Sequence, residues 1–320
     1  MAKKVTVIGS FVVDLMARSP HIPVQGETVK GSIFKMGPGG KGSNQAVAAH
    51  RCGGDVVLIT KVGRDLFGKV ALDFYRQEGM DTSYVHEDEA LPTGIALIMV
   101  DEHTSENSIT VVPGACGAIT MDEIAHAAAV LDETGVVMAQ LETNLDILKP
   151  AVDRVHAAGG IAILNPAPPP DVMLEQSFIA LFDLLTPNET EASFLTGIEV
   201  VDTPSAHLAA KRLQSMGVKD VIITLGKMGA FLLTCDGEAL HFPTMDVDVL
   251  DTTGAGDAFN GGLATALSQG KDLKQAVFFA TAVASLCVTK VGTAPAMPTA
   301  AEVHAFLADL DEAVYWERVR

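Results

Sequence analysis

DTTGAGDAF, residues 251–259, decides how the rest of the chain is interpreted, because a helical pattern follows its glycines directly. Small residues at Gly254, Ala255 and Gly256 let backbone N–H groups point outward where that helix begins. Such a helix start binds anions through its unpaired donors and its dipole. Asp257 then lies in the first turn beside the anion, where a carboxylate is a candidate general base for an attacking hydroxyl. A capping acid beside a tight glycine turn fits the same residues, and this stretch alone does not separate the two interpretations.

On both sides of this stretch, short apolar runs alternate with helical patterns. Such alternation is typical of βαβ units around a buried, mostly parallel sheet, and it predicts an α/β fold. The predicted parallel strands are residues 5–9, 56–62, 136–140, 161–165, 184–187 and 221–226. The predicted helices are 43–51, 66–77, 121–131, 145–156, 206–216, 255–268 and 273–290. Two antiparallel strands are predicted before the last two helices, at 230–234 and 241–243.

Two segments interrupt this alternation. Residues 11–36 and 91–112 have irregular apolar patterns that predict short strands at 28–34, 94–100 and 108–112. These strands can pair into a small sheet over one edge of the main domain, and ordinary hairpins are the alternative. The chain then divides into a main domain of residues 1–10, 37–90 and 113–312, the inserted small sheet, and a C-terminal tail, 313–320, that is expected to be poorly ordered.

Composition restricts the class of protein. The 320 residues carry a net charge of −18, which disfavours binding to nucleic acid or to anionic membranes. No apolar run reaches the roughly 20 residues that span a bilayer, and the first run is too short for a signal peptide. The cysteines form no CxxC pair and indicate free thiols in a cytoplasmic protein. They are Cys52, Cys116, Cys235 and Cys287.

A second glycine-rich stretch reads GPGGKGSNQ, residues 37–45. Gly37, Gly39 and Gly42 match GxGxxG, but a dinucleotide fingerprint should follow the first strand, where GSFVVD stands instead. The Walker pattern GxxxxGK[ST] is absent from the sequence. The remaining interpretation is a turn that brings backbone close to a ligand. Lys41 and Asn44 would offer their polar groups there, which suits a polyhydroxylated ligand.

Further candidate positions lie at the ends of predicted strands. In TPNETE, residues 186–191, Asn188 and Glu191 share one face of a helical turn and can hold waters around Mg²⁺; a plain helix cap is the alternative. TLGKMG, residues 224–229, can approach a nucleotide or close a hairpin. Segments 140–142 and 165–168 end parallel strands, where open α/β sheets bind ligands.

Together these motifs resemble the ribokinase (PfkB-type) family of carbohydrate kinases, over residues 5–307. GGKGSNQA, residues 39–46, and DTTGAGD, residues 251–257, carry the resemblance in combination and in order, and the segments at 165–168 and 186–191 strengthen it. The resemblance implies a three-layer α/β/α domain whose two insertions form a β-sheet lid, which in this family often makes a homodimer contact. It also implies transfer of the ATP γ-phosphoryl group to the 5-hydroxyl of a pentose, D-ribose first.

The resemblance further implies a role for each matching residue. Asp257 takes the position of the base, and the turn at 254–256 that of the anion hole. The implied sugar-binding set is Asp14, Gly40, Lys41, Asn44, Glu142, Asp251 and Asp257. The implied nucleotide contacts are Asn188, Thr224, Gly226, Gly254 and Gly256. Asn188 and Glu191 match residues that organise Mg²⁺ through water, and an activating monovalent cation, K⁺, would lie at Asp251, Thr253 and Gly292.

Two positions depart from the family pattern. Val12 replaces a sugar-contacting asparagine, and a sugar hydroxyl left unpaired costs about 1–3 kcal/mol. A 2-deoxy sugar therefore becomes an alternative substrate, and fructose, ketodeoxygluconate and nucleosides remain others, since Phe11 and Val12 could stack against a larger molecule. Ala296 replaces a hydroxyl-bearing residue near the cation site. A non-catalytic sugar sensor and a dehydrogenase that uses the first glycine-rich turn are alternatives from other classes.

Overall fold

Ten strands form the larger of two sheets in the computed structural model, which describes residues 3–104, 106–169, 172–308, 310 and 315–319. Its strands, in chain order, are β1 (Lys4–Ile8), β4 (Val56–Gly63), β5 (Val85–Asp88), β8 (Thr134–Ala139), β9 (Ile161–Leu164), β10 (Leu184–Leu185), β11 (Asp220–Thr224), β12 (Ala230–Leu233), β13 (Ala239–Phe242) and β14 (Glu317–Arg318). Their spatial order is β14-β13-β12-β11-β10-β9-β8-β1-β4-β5. Pairing is parallel from β5 to β11 and antiparallel from β11 to β14.

Helices cover both faces of this sheet. The helices are α1 (Lys41–Arg51), α2 (Leu66–Glu78), α3 (Met121–His126), α4 (Ala128–Leu131), α5 (Leu148–Ala157), α6 (Gln176–Ile179), α7 (Glu189–Thr196), α8 (Thr203–Ser215), α9 (Ala255–Ser268), α10 (Leu273–Cys287) and α11 (Ala300–Leu307). One core contains side chains from α1, α2, α9, α10 and α11, and the other contains side chains from α3, α4, α5, α7 and α8. The predicted three-layer α/β/α fold is therefore confirmed.

The helix boundaries follow from local chemistry. At α2, Asp65 accepts a hydrogen bond from the Gly68 N–H at the first turn, and Gly79 ends the helix with φ 75°. At α8, Asp202 caps the first turn and a proline stands at its start. β4 is buried at every position, as expected for a central strand covered by helices on both faces.

Four strands form the second sheet, in the order β3-β2-β6-β7. They are β2 (Val12–Ser19), β3 (Ile33–Gly39), β6 (Thr93–Asp101) and β7 (Asn107–Gly114), and we call this sheet the lid. The strand predicted at 28–34 is displaced to Ile33–Gly39, and β2 was not predicted. The reason is pairing: β3 opposes β2 residue by residue from Ile33 to Gly39, and this partner sets its limits. The lid thus extends past residue 36 to Gly39.

The C-terminal segment is better packed than its terminal position suggested. Trp316 stacks on Phe242 with ring centroids 5.5 Å apart, and the Tyr315 hydroxyl donates to the Pro243 carbonyl at 2.8 Å. β14 pairs with β13, so residues 315–319 belong to the main sheet. The expectation of a poorly ordered tail is wrong for these five residues; positions 313, 314 and 320 lie outside the described residues.

No helix in the described ranges combines the length and the apolar character needed to cross a membrane. The four cysteines are free thiols, three of them buried, as predicted.

Candidate active site

Asp257 lies in the first turn of α9 with its carboxylate pointing towards α1. Asn44 Nδ2 donates to Oδ2 at 2.9 Å and Gln45 Nε2 donates to Oδ1 at 3.0 Å. Burial raises the pKa of Asp257, while the charge of Lys41 and these two amides oppose that rise. The side chain is only 8% exposed. A carboxylate held this way can accept a proton from a ligand that excludes the remaining water.

The turn before Asp257 leaves the start of α9 open. Gly254 has φ 81°, a conformation that favours glycine, and allows the chain to turn into the helix. A β-carbon on Gly256 would meet nothing within 4 Å, so no protein group covers this residue. The Ala255 N–H donates to the Thr252 carbonyl at 3.3 Å, and the Ala258 N–H donates to Gly254. The donors of the helix start that remain for a ligand are therefore centred on Gly256.

Several predicted sugar-binding residues surround Asp257. Glu142 Oε2 accepts from the Lys41 backbone N–H at 2.9 Å and from the Ser10 hydroxyl, which fixes it at the start of α1. Burial, together with the nearby negative charges of Glu142 and Asp257, raises the pKa of Asp14 on β2 to about 6. The lid and the main domain thus each contribute carboxylates to one place.

Lys41 provides the positive charge among these carboxylates. Burial would lower the pKa of its ammonium, but Asp257, Glu142 and Glu191 raise it above the ordinary value. The lysine is therefore charged at neutral pH. Asn44 Oδ1 is buried and accepts no hydrogen bond from any described residue, which leaves an acceptor for a ligand hydroxyl.

Close packing explains two glycines of the stretch at 37–45. A β-carbon on Gly39 would lie 2.2 Å from Asp14 Oδ1. Gly40, which precedes α1, has φ 90°, and its β-carbon would lie 2.8 Å from the Ser10 carbonyl. Gly39 therefore leaves room for the Asp14 carboxylate, and Gly40 leaves room for the backbone of Ser10 and Phe11.

A cleft of about 730 Å³ opens on the other side of the α9 start. It lies between β11, β12, α9 and α10, and its lining includes four residues of the predicted nucleotide set: Asn188, Thr224, Gly226 and Gly256. The apolar part of the lining includes Val247, Val249, Ala284 and Val288. A flat, largely apolar group such as a nucleobase can bind such a wall while its phosphates reach the helix start.

Asn188 and Glu191 form the helix cap that was the alternative interpretation. Asn188 Oδ1 accepts from the Glu191 N–H at 2.8 Å, and the Asn188 N–H and Nδ2 donate to the two Glu191 oxygens at 2.9 and 3.0 Å. Burial raises the pKa of Glu191 to about 7. The cap holds this carboxylate within the electrostatic range of Lys41 and Asp257.

Asp251 connects the loop before α9 to a second loop. Its Oδ1 accepts from the Thr253 N–H at 2.9 Å and its Oδ2 from the Gly292 N–H at 3.0 Å. Burial alone would raise the pKa of Asp251, but these hydrogen bonds stabilise the ionised form and hold the pKa below its ordinary value. The structure therefore brings together all three residues of the predicted cation site.

A second cleft, of about 450 Å³, lies between the lid and the main domain. Val12, Val111, Cys116 and Glu142 are among its lining residues. Phe11 is fully buried against Tyr75, with ring centroids 5.9 Å apart, and is not available to a ligand. The suggestion that Phe11 could stack against a larger substrate is therefore wrong, because its ring belongs to the core.

Gln45 and Ser10 belong to this site but were not among the site residues predicted from the sequence. Gln45 contacts Asp257, which is 212 positions away in the chain, and Ser10 contacts Glu142 across 132 positions. The available signal was that Ser10 follows β1 at its carboxyl end, where ligand sites form in open α/β sheets.

Comparison with known proteins agrees with this geometry. Residues 2–300 match the model of the "pfkB family carbohydrate kinase". The chain is 38% identical over 307 residues to the ribokinase of Haemophilus influenzae, which covers 96% of this chain and 99% of that protein. It is 36% identical over 303 residues to the deoxyribokinase of Salmonella typhi, covering 95% and 98%.

A solved structure gives the same result. Arabidopsis thaliana ribokinase complexed with ribose and ATP superposes with a TM-score of 0.88, at 30% identity, over 96% of this chain and 99% of the other. The chain belongs to the pfkB family of carbohydrate kinases.

Proposed function

We propose that this carbohydrate kinase transfers the γ-phosphoryl group of ATP to the 5-hydroxyl of a pentose, D-ribose. The position of Asp257 carries the proposal. The carboxylate stands in the first turn of α9, with Asp14, Lys41 and Glu142 around it and the 730 Å³ cleft beside the same turn. One helix start thus offers donors to a phosphate and a base to the acceptor hydroxyl. The relatives named ribokinase support the choice of substrate.

The chemistry follows from these positions. Asp257 takes the proton of the 5-hydroxyl as the hydroxyl oxygen attacks the γ-phosphorus; the bond from that phosphorus to the β,γ-bridging oxygen breaks, and ADP leaves. Burial raises the pKa of Asp257 and so makes the carboxylate a stronger base, while Lys41 and the two amides limit that rise. The backbone donors and dipole of the α9 start stabilise the charge on the phosphoryl oxygens. Removing one such donor typically costs about 10²–10³ in rate.

Mg²⁺ fits the site through water. Among the described residues, no three His, Cys, Asp or Glu side chains are grouped to bind a metal directly. Mg²⁺ keeps several waters and binds nucleotide phosphates, so one fixed carboxylate and one amide are sufficient. Asn188 and Glu191 would hold those waters, and the ion would neutralise phosphate charge. For this role Glu191 must be ionised, which its pKa of about 7 allows in the neutral range and above.

A monovalent cation is proposed beside Asp251, Thr253 and Gly292. The ionised Asp251 and the close approach of its two loops support the site. Ala296 lies in the short turn Ala294–Ala296 and brings no hydroxyl, so we propose weaker activation by K⁺ than the family pattern implies.

The lid supports a proposal of homodimerisation. Phe34, Met36, Leu97 and Val112 are exposed on one face of it, at 67, 50, 45 and 47%. The register of β2, β3, β6 and β7 places these four side chains on the face opposite Asp14. A partner subunit would remove this apolar surface from water. The unpaired cysteines support a cytoplasmic location.

Val12 favours 2-deoxyribose as a second candidate substrate. The side chain lines the cleft between lid and main domain and packs against Ala96 and Cys116. It offers no hydrogen bond to a 2-hydroxyl, whereas a 2-deoxy sugar leaves none unpaired. The deoxyribokinase relative adds weight to this candidate.

A sugar panel tests the proposal. The purified chain with ATP and Mg²⁺ is assayed for ADP release and for the phosphorylated product, with D-ribose, 2-deoxyribose, fructose, ketodeoxygluconate and a nucleoside as acceptors. We expect a pentose to give the highest kcat/KM and the product to carry its phosphate on O5. ADP release that does not depend on any sugar would contradict the proposal.

A further inference from the structure

Gln45 donates to Asp257 and has no polar atom left for a ligand. Its Nε2 donates to Asp257 Oδ1 and to Asn165 Oδ1, both at 3.0 Å. Its Oε1 accepts from Gln140 Nε2 at 2.7 Å. The side chain is fully buried. Both N–H groups and the carbonyl are thus used inside the protein, whereas Asn44, the other amide on Asp257, keeps a free acceptor.

The contacts of Gln45 continue into a closed ring. Asn165 Nδ2 donates to the Thr186 carbonyl at 2.9 Å, and Thr186 Oγ1 donates to Asn260 Oδ1 at 2.6 Å. Asn260 Nδ2 donates to the Gly256 carbonyl at 2.8 Å. Gly256 is bonded to Asp257, where the ring closes. The ring therefore connects the base to the residue at which the phosphate-facing donors are centred.

The ring joins three parts of the fold. Gln45 lies on α1, Asn165 and Thr186 follow β9 and β10 at the carboxyl end of the sheet, and Asn260 lies on α9. All four side chains are at most 7% exposed. Each side-chain N and O atom of these four residues has a partner in the protein, so rotating any of the side chains leaves a buried group unpaired and the ring is restricted to one arrangement.

We propose that Gln45 is a positioning residue, which fixes the Asp257 carboxylate for proton transfer and, through the ring, fixes it relative to the turn at Gly256. This inference rests on the proposed kinase function. Gln45 touches neither sugar nor nucleotide and acts only through Asp257. Without the Gln45 amide, Asp257 Oδ1 loses its side-chain donor, and Asn44 alone holds the carboxylate through Oδ2. The carboxylate then becomes less fixed and harder to ionise.

The pH dependence of kcat can test this role, because the titratable groups that face Asp257 are known and none of them is Gln45. The titratable groups that act on it, or on which it acts, are Lys41 at the start of α1, Asp14 on β2, Glu142 after β8, Glu191 on α7 and Cys287 on α10. Replacing Gln45 leaves all five in place. In Gln45→Met, which adds no titratable group, a shift of the acidic limb of kcat therefore belongs to the carboxylate that Gln45 contacts.

The variants are Gln45→Met and Gln45→Glu, with Thr265→Val as the matched control. Methionine keeps the length and removes the amide, and glutamate keeps the shape but replaces the donor with an acceptor. Thr265 is fully buried in the same α1–α9 contact and donates to the Ala49 and Gly261 carbonyls at 3.1 and 3.0 Å, away from Asp257. Its loss weakens the same interface without touching the base.

We expect both Gln45 variants to lower kcat about ten- to a hundredfold, with sugar and ATP KM within about threefold of wild type. The acidic limb of kcat should move to higher pH. Thr265→Val should lower Tm but keep kcat and the profile. If a Gln45 variant that folds keeps the wild-type kcat and profile, or if Thr265→Val reproduces its loss, the inference is wrong. A wild-type chain without sugar phosphorylation, or an active Asp257→Asn, would instead overturn the proposed function on which it rests.

Discussion

Gly39 and Asp14 are packed so closely that the first has no room for a side chain. They lie on adjacent lid strands, and a β-carbon on Gly39 would come within 2.2 Å of Asp14 Oδ1 and 2.5 Å of Oδ2. The orientation of this carboxylate therefore depends on the absence of a methyl group next to it.

Gly39→Ala should displace the Asp14 carboxylate and weaken sugar binding. We expect the sugar KM to rise about tenfold or more, the size of one or two lost hydrogen bonds to a charged group, with the ATP KM nearly unchanged. Gly37→Ala is the control on the same strand, because its β-carbon would meet nothing within 4 Å. Equal sugar KM values for the two variants would show that Asp14 does not bind the sugar.

Asp257→Asn tests the base directly. The amide has the same size but cannot take a proton, so we expect kcat to fall about 10²–10⁴-fold while the sugar dissociation constant changes little. Initial rates give the first quantity, and calorimetric titration with the preferred sugar gives the second. Turnover of Asp257→Asn close to that of wild type would show that Asp257 is not the base.

The pH dependence of kcat/KM for the sugar should report the ionisation of Asp14. Burial, Glu142 and Asp257 raise its pKa to about 6, so the carboxylate is protonated below that pH and ionised above it. In the proposed site the ionised form accepts sugar hydroxyls, so kcat/KM for the sugar should fall as the pH drops through about 6 and level off above it.

Asp14→Asn should lower the plateau and remove this limb. Glu191→Gln, which replaces the group with a pKa of about 7, should keep the limb near pH 6 and change the ATP dependence instead. A wild-type profile that is flat across about pH 5–8 would contradict the assignment to Asp14.

Val12→Asn tests sugar choice. The amide can bond a 2-hydroxyl that valine leaves unpaired, so the kcat/KM ratio of ribose to 2-deoxyribose should rise about ten- to a hundredfold. Val12→Ala removes the apolar contacts with Ala96 and Cys116 and adds no donor. Its ratio should stay near that of wild type. An unchanged ratio in Val12→Asn would remove residue 12 from sugar discrimination.

The main sheet could be predicted from sequence because its strands are apolar and separated by long helices. β4 was predicted at 56–62 and runs from Val56 to Gly63. β2 escaped detection because VVDLMARS mixes a carboxylate, an arginine and apolar residues, so it lacks the continuous apolar run of a fully buried strand, and most of its residues are only partly buried. The helix predicted at 121–131 is divided at Ala127, where one helix ends and the next begins.

Physical reasoning from the sequence predicted the site only where one stretch of chain carries the chemistry, and Asp14 and Glu142 were assigned to it through the family resemblance. The turn at 254–256 and Asp257 are adjacent in sequence, and helix-start physics identifies them together. The contact of Gln45 with Asp257 depends on how α1 packs against α9, and no local pattern encodes that contact. The same holds for Ser10 and Glu142, which meet only because β1 and β8 are neighbours in the sheet.

The two clefts are lined by different parts of the polypeptide. Every described residue that lines the 730 Å³ cleft comes from positions 188–288, whereas every described residue that lines the 450 Å³ cleft comes from positions 10–168. With the acceptor and the nucleotide in these two clefts, as proposed, acceptor preference can diverge by mutation within positions 10–168 while the nucleotide cleft is inherited intact. A single fold can in this way yield a lineage of enzymes that share one phosphate donor and differ in the molecule they modify.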